Sequence, residues 1–241
     1  MRVAVIVAAA GVGRRMGTEL PKTYLPLAGR PILAHTLAVL EAAAEVHEAA
    51  VVVHPRDLDY CREQVIAPFG FAKVRHLAAG GKERQDSVRK ALEALRRGPA
   101  PDLILVHDGV RPLVTVELIR RVIDGATEHG AVIPTLPAQD TVKRVNARGE
   151  VVETLDRREL RLVQTPQGFR ADLLFRAFDE AHRRGFYGTD EASLVEALGV
   201  PVVVVPGSPA NIKVTTPEDL LLAEALLAVR EKRDDAGRPG I

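Results

Sequence analysis

The sequence contains no tryptophan and only one cysteine, Cys61. A single cysteine can form neither an internal disulfide nor a thiolate metal cage, which suits a reducing cytoplasm. The formal net charge is only +1, so no global field attracts nucleic acid or an anionic membrane. No apolar run has membrane-spanning length, and the N-terminal run lacks the small-residue cleavage site of a leader peptide. We therefore expect a cytoplasmic protein that binds neither nucleic acid nor membrane.

Short β-branched runs alternate along the chain with amphipathic helical stretches. The 241 residues, of which 46% are hydrophobic, suffice for one large domain. The alternation predicts an α/β fold with a mainly parallel, Rossmann-like sheet and helices on both faces. We expect one domain over residues 1–230 and a frayed tail over residues 231–241. The predicted strands are Val3–Val7, Ala50–Val53, Phe71–Arg75, Asp102–His107, Gly130–Thr135 and Val200–Val205, and the predicted helices are Pro31–Ala44, Asp57–Ala67, Glu83–Arg97, Thr115–His129, Arg170–Arg184 and Pro217–Glu231.

One segment, Ala138–Leu162, interrupts this alternation. Its strand-like stretches TVKRV and EVVETL flank the turn NARG, which is typical of a β-hairpin. The alternating residues are too polar for a strand pair buried in the core. Because an exposed hairpin tends to aggregate unless something covers it, we expect an arm that packs on a second copy of the chain.

A glycine-rich loop, AAAGVGRRMGTELPK, follows the first predicted strand. Its spacing does not fit the dinucleotide fingerprint, because Gly17 comes one residue too late for the third glycine. It does not fit the P-loop either, because Met16 or Thr18 occupies the position where the second glycine is required. Open backbone amides at Gly11 and Gly13 would suit phosphate oxygens. With the charges of Arg15 and Lys22, they predict a triphosphate site, the alternative being a surface turn with solvated cations.

Further polar loops follow other predicted strands, and the carboxyl ends of parallel strands form one edge of a sheet. Asp108, at the end of LILVHD, is a candidate Mg²⁺ ligand, the alternative being a turn or cap residue. In AAGGKERQDS, Gly80 and Gly81 leave backbone groups open to a base edge, while Ser87 or Asp86 could add a side-chain contact. The loop NIKVTTPEDL follows the last predicted strand.

Arg84, in the same GGKERQDS loop, either braces the loop or touches phosphate.

Two other functions are alternatives to nucleotide transfer. A nicotinamide-dependent oxidoreductase needs an acidic ribose ligand after the second strand, where only Asp57 and Asp59 are available. A non-catalytic nucleotide sensor could dispense with Lys22, Asp108 or Lys213, yet all three are present.

Taken together, the motifs resemble one enzyme family. G-x-G-x-R-M with P-K, GGKERQDSV, HDGVRP, DTVKRV, QTPQGF, TDEAS and NIKVTTPEDL occur in the order and spacing of the 2-C-methyl-D-erythritol 4-phosphate cytidylyltransferases of the non-mevalonate isoprenoid pathway. The resemblance runs from Val3 to about Ala228 and implies a nucleotidyltransferase-type fold that transfers CMP from CTP to methylerythritol phosphate. Gly109 and Val110 depart from the two alanines of many members, which keeps ribitol 5-phosphate cytidylyltransferase, or another sugar-phosphate nucleotidyltransferase, as the alternative.

The same resemblance implies roles for individual residues. Arg15 and Lys22 would stabilise charge on the triphosphate, and Asp108 would bind Mg²⁺, with Mn²⁺ or Co²⁺ as substitutes. The hairpin arm would reach into the partner of a homodimer. The residues implied around CTP are Ala9, Ala10, Gly11, Gly13, Gly80, Gly81, Arg84 and Ser87, and those implied around the acceptor are Arg111, Thr141, Arg157, Thr165, Thr189 and Lys213, of which Arg157 and Lys213 aim its phosphate.

Overall fold

A central eight-stranded sheet organises the computed structural model, which describes residues 1–11 and 20–236. The strand order is β10–β7–β11–β6–β1–β4–β5. The eighth strand, β12, lies outside this sequence of neighbours and pairs with β7. Within the described residues the strands are β1 Val3–Ala9, β2 Pro26–Leu27, β3 Arg30–Pro31, β4 Glu48–Val53, β5 Val74–Ala79, β6 Leu103–Asp108, β7 Ala131–Pro137, β8 Lys143–Val145, β9 Val151–Thr154, β10 Arg161–Val163, β11 Gln167–Arg170 and β12 Val203–Pro206.

The sheet is mainly parallel, which confirms the predicted fold class. β1 pairs in parallel with β4 and β6, β4 with β5, and β7 with β12. The exceptions are β10, antiparallel to β7, and β11, antiparallel to both β6 and β7. β11 thus inserts between two strands that run in the same direction.

Helices cover both faces of the sheet. They are α1 Ile32–Ala42, α2 Leu58–Cys61, which continues through a π-helical turn at Arg62–Ile66 into α3 Ala67–Phe69, α4 Arg84–Leu95, α5 Val116–His129, α6 Ala171–Arg184, α7 Glu191–Glu196 and α8 Pro217–Ala236. Alternate residues of β1 divide between two cores: Val5 packs on the side of α1 and α5, whereas Ile6 packs on the side of α4 and α6. Both faces of β1 are therefore dry, as its continuous apolar run requires.

The predicted hairpin is present and exposed. β8 pairs with β9 in antiparallel register, with Lys143 opposite Thr154, and forms a sheet separate from the central one. Every residue of β8 and β9 is exposed, including Val145, Val151 and Val152. Within the described chain, these valines have no core to pack against.

Some predicted boundaries are wrong. The third predicted strand, Phe71–Arg75, begins instead at Val74 and runs to Ala79, because His76–Ala79 pairs with Ala50–Val53 of β4. The last helix continues past Glu231 to Ala236, and residues 237–241 of the expected tail lie outside the described residues.

Sequence patterns do not predict β10, β11 and α7, which the structure contains. β11 lies in QTPQGFR, where a proline and a glycine suggest a loop. Gly168 is required in this strand because a Cβ there would come within 2.6 Å of Val122 Cγ1 on α5. The glycine therefore marks a close strand–helix contact, not a turn.

Candidate active site

A cavity of about 460 Å³ opens beyond the carboxyl ends of β1 and β6. It gathers residues from the loop after β1, the loop after β5, the end of β6 and the segment between β12 and α8. The predicted site residues that line it are Ala9, Ala10, Gly11, Lys22, Gly81, Arg84, Ser87, Asp108 and Lys213. Gly13 and Arg15, the other predicted residues of the first loop, lie outside the described residues.

The loop after β5 is held against β1 by tight backbone packing. A Cβ on Gly80 would come within 2.5 Å of Ala10 Cβ, and a Cβ on Gly81 would clash with Asp86. The Gly81 amide donates to Ser87 Oγ at 3.0 Å, and the Ser87 hydroxyl donates to the Glu83 carbonyl at 3.1 Å. Ser87 therefore shapes the loop with its own hydroxyl, and the glycines bring two backbone segments together at the cavity wall.

Asp108 ends β6 as a buried carboxylate surrounded by cations. Its Oδ2 lies 2.9 Å from Lys213 Nζ and 3.7 Å from Arg111 Nε, and its Oδ1 lies 3.3 Å from Arg84 Nη2. Burial acts to raise the pKa of Asp108, but the charges of Arg84 and Lys213 outweigh it and hold that pKa far below its usual range. Asp108 is therefore ionised at any physiological pH.

Lys213 reaches Asp108 because its segment is fixed to the turn after β6. The Val214 amide donates to the Val110 carbonyl at 2.9 Å, and both valines belong to a small apolar cluster beside the cavity. The Lys213 side chain, next to this anchor, is 41% exposed. Because Lys213 is partly exposed, its ammonium group can leave the Asp108 carboxylate and pair with an anion in the cavity with little change in its burial.

Arg84 joins the cavity to a second buried carboxylate, that of Glu191. Its Nη1 donates to Glu191 Oε1 at 2.6 Å, while its Nε lies 3.3 Å from Asp108 Oδ1. Burial raises the pKa of Glu191, and the neighbouring Arg84 charge opposes that rise. Arg84 is thus shared between two acidic groups.

Three buried polar residues support Asp108 from behind. Thr165 Oγ1 accepts a hydrogen bond from the Asp108 amide at 3.0 Å and lies 3.0 Å from His107 Nδ1. Burial lowers the pKa of His107 to about 4, so its ring is neutral. Arg111 Nη1 donates to the Asn211 carbonyl at 2.7 Å. Thr165 and Arg111, both predicted acceptor ligands, are therefore buried in the framework that positions Asp108.

The other predicted acceptor residues lie outside the cavity. Thr141 and Arg157 are exposed in the arm region, where Arg157 Nη1 donates to the Gln139 carbonyl. Thr189 is exposed on the segment before α7 and lines a shallow depression with Arg84 and Gln85. The described chain does not by itself bring these three residues to Asp108.

Sequence reasoning missed Glu191 and Asn211 as parts of the site. Both occur inside quoted motifs, TDEAS and NIKVTT, and both are fully or almost fully buried. A glutamate at the first position of a helix is usually exposed to solvent, so the sequence gives no direct sign that Glu191 is buried. The one available signal is that Glu191 lies inside the TDEAS motif. Asn211 accepts from Arg111 through its backbone carbonyl and donates to the Thr165 carbonyl through its side-chain amide at 2.8 Å, and no local sequence pattern indicates either contact.

Within the described residues, no group of three or more His, Cys, Asp or Glu side chains could hold a metal ion alone. Mg²⁺ commonly takes one or two carboxylates and completes its shell with water and substrate phosphates. A single carboxylate at a strand end, beside a cavity of about 460 Å³ that could admit phosphate groups, fits that pattern. Also within the described residues, no helix is long and apolar enough to cross a bilayer.

Comparison with known proteins assigns the chain to a family. The family model described as IspD, 2-C-methyl-D-erythritol 4-phosphate cytidylyltransferase, matches residues 3–229. The 2-C-methyl-D-erythritol 4-phosphate cytidylyltransferase of Geotalea uraniireducens is 49% identical over 94% of this chain and 97% of its own length. The enzyme of the same name from Alkaliphilus metalliredigens is 50% identical over 95% of each chain.

Solved structures agree with this assignment. The crystal structure of 2-C-methyl-D-erythritol 4-phosphate cytidylyltransferase from Thermus thermophilus superposes with a TM-score of 0.77 at 38% identity, over 95% of this chain and 100% of that one. The 4-diphosphocytidyl-2C-methyl-D-erythritol synthase from Anaerococcus prevotii gives a TM-score of 0.83 at 31% identity, over 94% and 96% of the two chains. The chain therefore belongs to the 2-C-methyl-D-erythritol 4-phosphate cytidylyltransferase family.

Proposed function

We propose that the cavity beyond β1 and β6 is where this chain carries out the reaction of its family. In that reaction CMP passes from CTP to 2-C-methyl-D-erythritol 4-phosphate, giving 4-diphosphocytidyl-2-C-methyl-D-erythritol and pyrophosphate. The observation that carries the proposal is the cluster of Lys213, Arg84 and Arg111 around the single carboxylate of Asp108. Such a cluster suits a site in which two phosphorylated molecules meet.

The chemical step is an in-line displacement. An oxygen of the acceptor phosphate forms a bond to the α-phosphorus of CTP, and the bond from that phosphorus to the β-phosphate oxygen breaks. Pyrophosphate leaves with the electron pair of the broken bond. Because the acceptor phosphate is already an anion, no general base is needed, and catalysis consists of positioning and electrostatic stabilisation.

The triphosphate side of the site comprises the loop after β1 and the start of α4. Lys22 lines the cavity, and with Arg15 it would neutralise charge that builds up on the departing pyrophosphate. Backbone groups of Ala9, Ala10, Gly11 and Gly13 would lie along the phosphates. The Gly81 carbonyl, in the loop shaped by Ser87, would read the cytosine edge. The Gly81 amide already donates to Ser87, and the amide and carbonyl of Gly80 are hydrogen-bonded to Val53 and Lys90, so the expectation of open backbone groups is wrong for them.

The acceptor side comprises Lys213 and the framework behind Asp108. Lys213 would leave Asp108 and pair with the acceptor phosphate, a change that its exposure allows. Arg111 and Thr165 would act from the buried wall, and Thr141, Thr189 and Arg157 would approach from outside the cavity.

Asp108 is the residue that would hold Mg²⁺, with Mn²⁺ or Co²⁺ as substitutes. When bound, the ion supplies charge neutralisation to the triphosphate. The chain's own contribution is the carboxylate, kept ionised by the cations that surround it. Those same cations must turn to phosphate oxygens when the carboxylate takes up its new ligand.

A homodimer formed through the arm is part of the proposal. The exposed valines of β8 and β9 need a covering surface, and a second copy of the chain could supply it. Such an exchange of arms would bring Arg157 of one subunit towards the acceptor of the other. The buried, lone Cys61 is compatible with a reducing cytoplasm as the site of action.

The ribitol 5-phosphate alternative is not favoured, because relatives at 49% and 50% identity carry the methylerythritol name. Pyrophosphate release should be measured with each of CTP, ATP, GTP and UTP against methylerythritol phosphate, ribitol 5-phosphate and erythritol 4-phosphate. We expect turnover to be highest for CTP with methylerythritol phosphate. A preference for ribitol 5-phosphate, or for another nucleotide, would contradict the proposal.

A further inference from the structure

Glu191 is a buried acid that the proposed chemistry does not use. It is the first residue of α7, and its side chain is only 2% exposed. Its Oε1 accepts from Arg84 Nη1 at 2.6 Å, whereas its Oε2 has no hydrogen-bond partner within residues 1–11 and 20–236. Among the described residues, its only ion pair is with Arg84. Because a buried carboxylate is costly unless a cation offsets it, Glu191 holds Arg84 firmly.

Arg84 has different contacts with its two acids. The contact with Glu191 is 2.6 Å, and both contacts with Asp108 are 3.3 Å. Asp108 lines the cavity and faces incoming ligands, whereas Glu191 does not line it. When a ligand binds to the Asp108 carboxylate, Arg84 can therefore lose its contact with Asp108 and still be held at the cavity wall by Glu191.

The segment that carries Glu191 is itself clamped to α4. The Gln85 side chain donates to the Phe186 carbonyl and accepts from the Gly188 amide, both at 2.9 Å. The Tyr187 hydroxyl donates to Asp86 Oδ1 at 3.0 Å. Glu191 is thus fixed relative to the helix that starts at Arg84, which is what a positioning residue requires.

We propose that Glu191 is a positioning residue that keeps the Arg84 guanidinium turned into the cavity for contact with CTP. This inference rests on the proposed assignment of Arg84 to the CTP site. Glu191 itself touches no ligand. Its effect on CTP binding passes entirely through Arg84.

The substitution Glu191→Gln keeps the shape of the side chain and removes its charge. Of the carboxylates in the described part of the chain, only Asp108 then remains paired with Arg84, which is drawn towards it and away from its resting position. The amide oxygen in E191Q can still accept a hydrogen bond from Arg84, but the attraction between opposite charges is lost, so we expect the Kd for CTP to rise on the order of tenfold.

The test is a double-substitution cycle, with CTP binding measured by calorimetry in the presence of Mg²⁺ and without acceptor. The variants are E191Q, R84M and the double variant R84M/E191Q. E93Q is the matched control, since it makes the same substitution at another Arg–Glu pair of α4, that of Arg89 Nη1 with Glu93 Oε1 at 2.6 Å, which does not line the cavity. We expect E191Q and R84M each to weaken CTP binding, the double variant to equal R84M, and E93Q to bind like the unsubstituted protein.

Two outcomes would overturn the role of Glu191 alone. One is a wild-type Kd for E191Q beside a weakened R84M. The other is a double variant weaker than R84M by the full factor seen for E191Q, since Glu191 would then act independently of Arg84. A wild-type Kd for R84M would instead refute the assignment of Arg84 to CTP, and the inference with it.

If E191Q failed to fold, E191D would replace it, because that variant keeps the carboxylate but withdraws it from Arg84. We expect E191D to weaken CTP binding, and a wild-type Kd for E191D would contradict the proposal. The comparison of R84M with R84M/E191Q tests the ion pair itself. R84M leaves the Glu191 carboxylate buried without its cation, and the second substitution removes that charge. We therefore expect the double variant to be at least as stable as R84M and to have the same Kd. A double variant with a further loss of CTP affinity would contradict the proposal.

Discussion

Replacing Asp108 by asparagine removes the one negative charge at the centre of three cations. The variant keeps the shape of the side chain. Among the residues that the structure describes, it leaves Arg111 and Lys213 without a carboxylate partner, while Arg84 retains Glu191. The Asp108 side chain is 8% exposed and that of Arg111 is 10% exposed, so water can replace little of the lost interaction. The expected result is a marked loss of stability as well as of activity.

The magnitude follows from the burial of each partner. Breaking a buried ion pair by removing one member costs about 3–5 kcal/mol, because the other charge remains buried. Lys213 is 41% exposed and can be solvated, so it adds little to this cost. We therefore expect the lower end, about 3 kcal/mol. For a chain of this length each kcal/mol corresponds to roughly 2–4 °C, so Tm should fall by about 6–12 °C.

The pH dependence has a definite sign. The pKa of Asp108 is lowered in the folded protein, so its contribution is complete above the unfolded pKa of about 3.9 and is lost only as the pH falls towards the lower folded value. The stability difference between the protein and D108N should therefore be constant from about pH 8 to about pH 5. It should shrink only below about pH 4.

Urea unfolding at several pH values, with Tm from calorimetry, measures this difference. The unfolding slope m should be unchanged, since the variant does not alter the surface exposed on unfolding. The double variant D108N/R111M should recover part of the loss, because it removes the buried cation that D108N leaves unpaired. A Tm within about 2 °C of the parent, or a difference that already disappears between about pH 7 and pH 5, would refute the reasoning.

Other substitutions test the roles assigned to the two sides of the site. Lys22→Ala should lower kcat on the order of 10²–10³, with less effect on CTP binding, as removal of a transition-state donor does; wild-type turnover would exclude this role. Lys213→Ala should mainly raise the acceptor KM or lower turnover with the acceptor, and unchanged acceptor kinetics would contradict the assignment. Inactive Lys22→Ala and Arg157→Ala proteins, unfolded and refolded together, should regain activity if arms are exchanged, because each hybrid dimer then has one site without a lesion. Hybrids that form and stay inactive would place Arg157 in its own subunit's site.

Much of the fold could be predicted from local patterns. The runs that form β1 and β6 are continuous and apolar because helices cover both faces of the sheet, and such runs are unambiguous. The end of β5 was predicted too early because its last residues, Ala78 and Ala79, have low β propensity and form a strand only by pairing with Val52 and Val53. β11 could not be predicted, since its pairing with two distant strands is a tertiary effect.

The location of the site could be predicted, because the loops that follow parallel strands lie at the same edge of the sheet. That rule correctly brought Asp108 and Lys213 to one cavity. It could not show that Thr165 and Arg111 lie in the buried wall, because their burial depends on side-chain packing behind β6. Nor could it reveal the pairing of Arg84 with Glu191, which lies 107 residues away and depends on how α7 packs.

The origin of the oxygen that joins the two phosphorus atoms of the product tests the central claim most directly. Methylerythritol phosphate whose three non-ester phosphate oxygens are ¹⁸O should be incubated with unlabelled CTP, Mg²⁺ and the protein, and the products examined by ³¹P NMR. Attack by the acceptor phosphate predicts one ¹⁸O on the phosphorus that came from CTP, in the bridging position, and none in pyrophosphate. Label in pyrophosphate, an unlabelled bridge, or no coupled product would contradict the account.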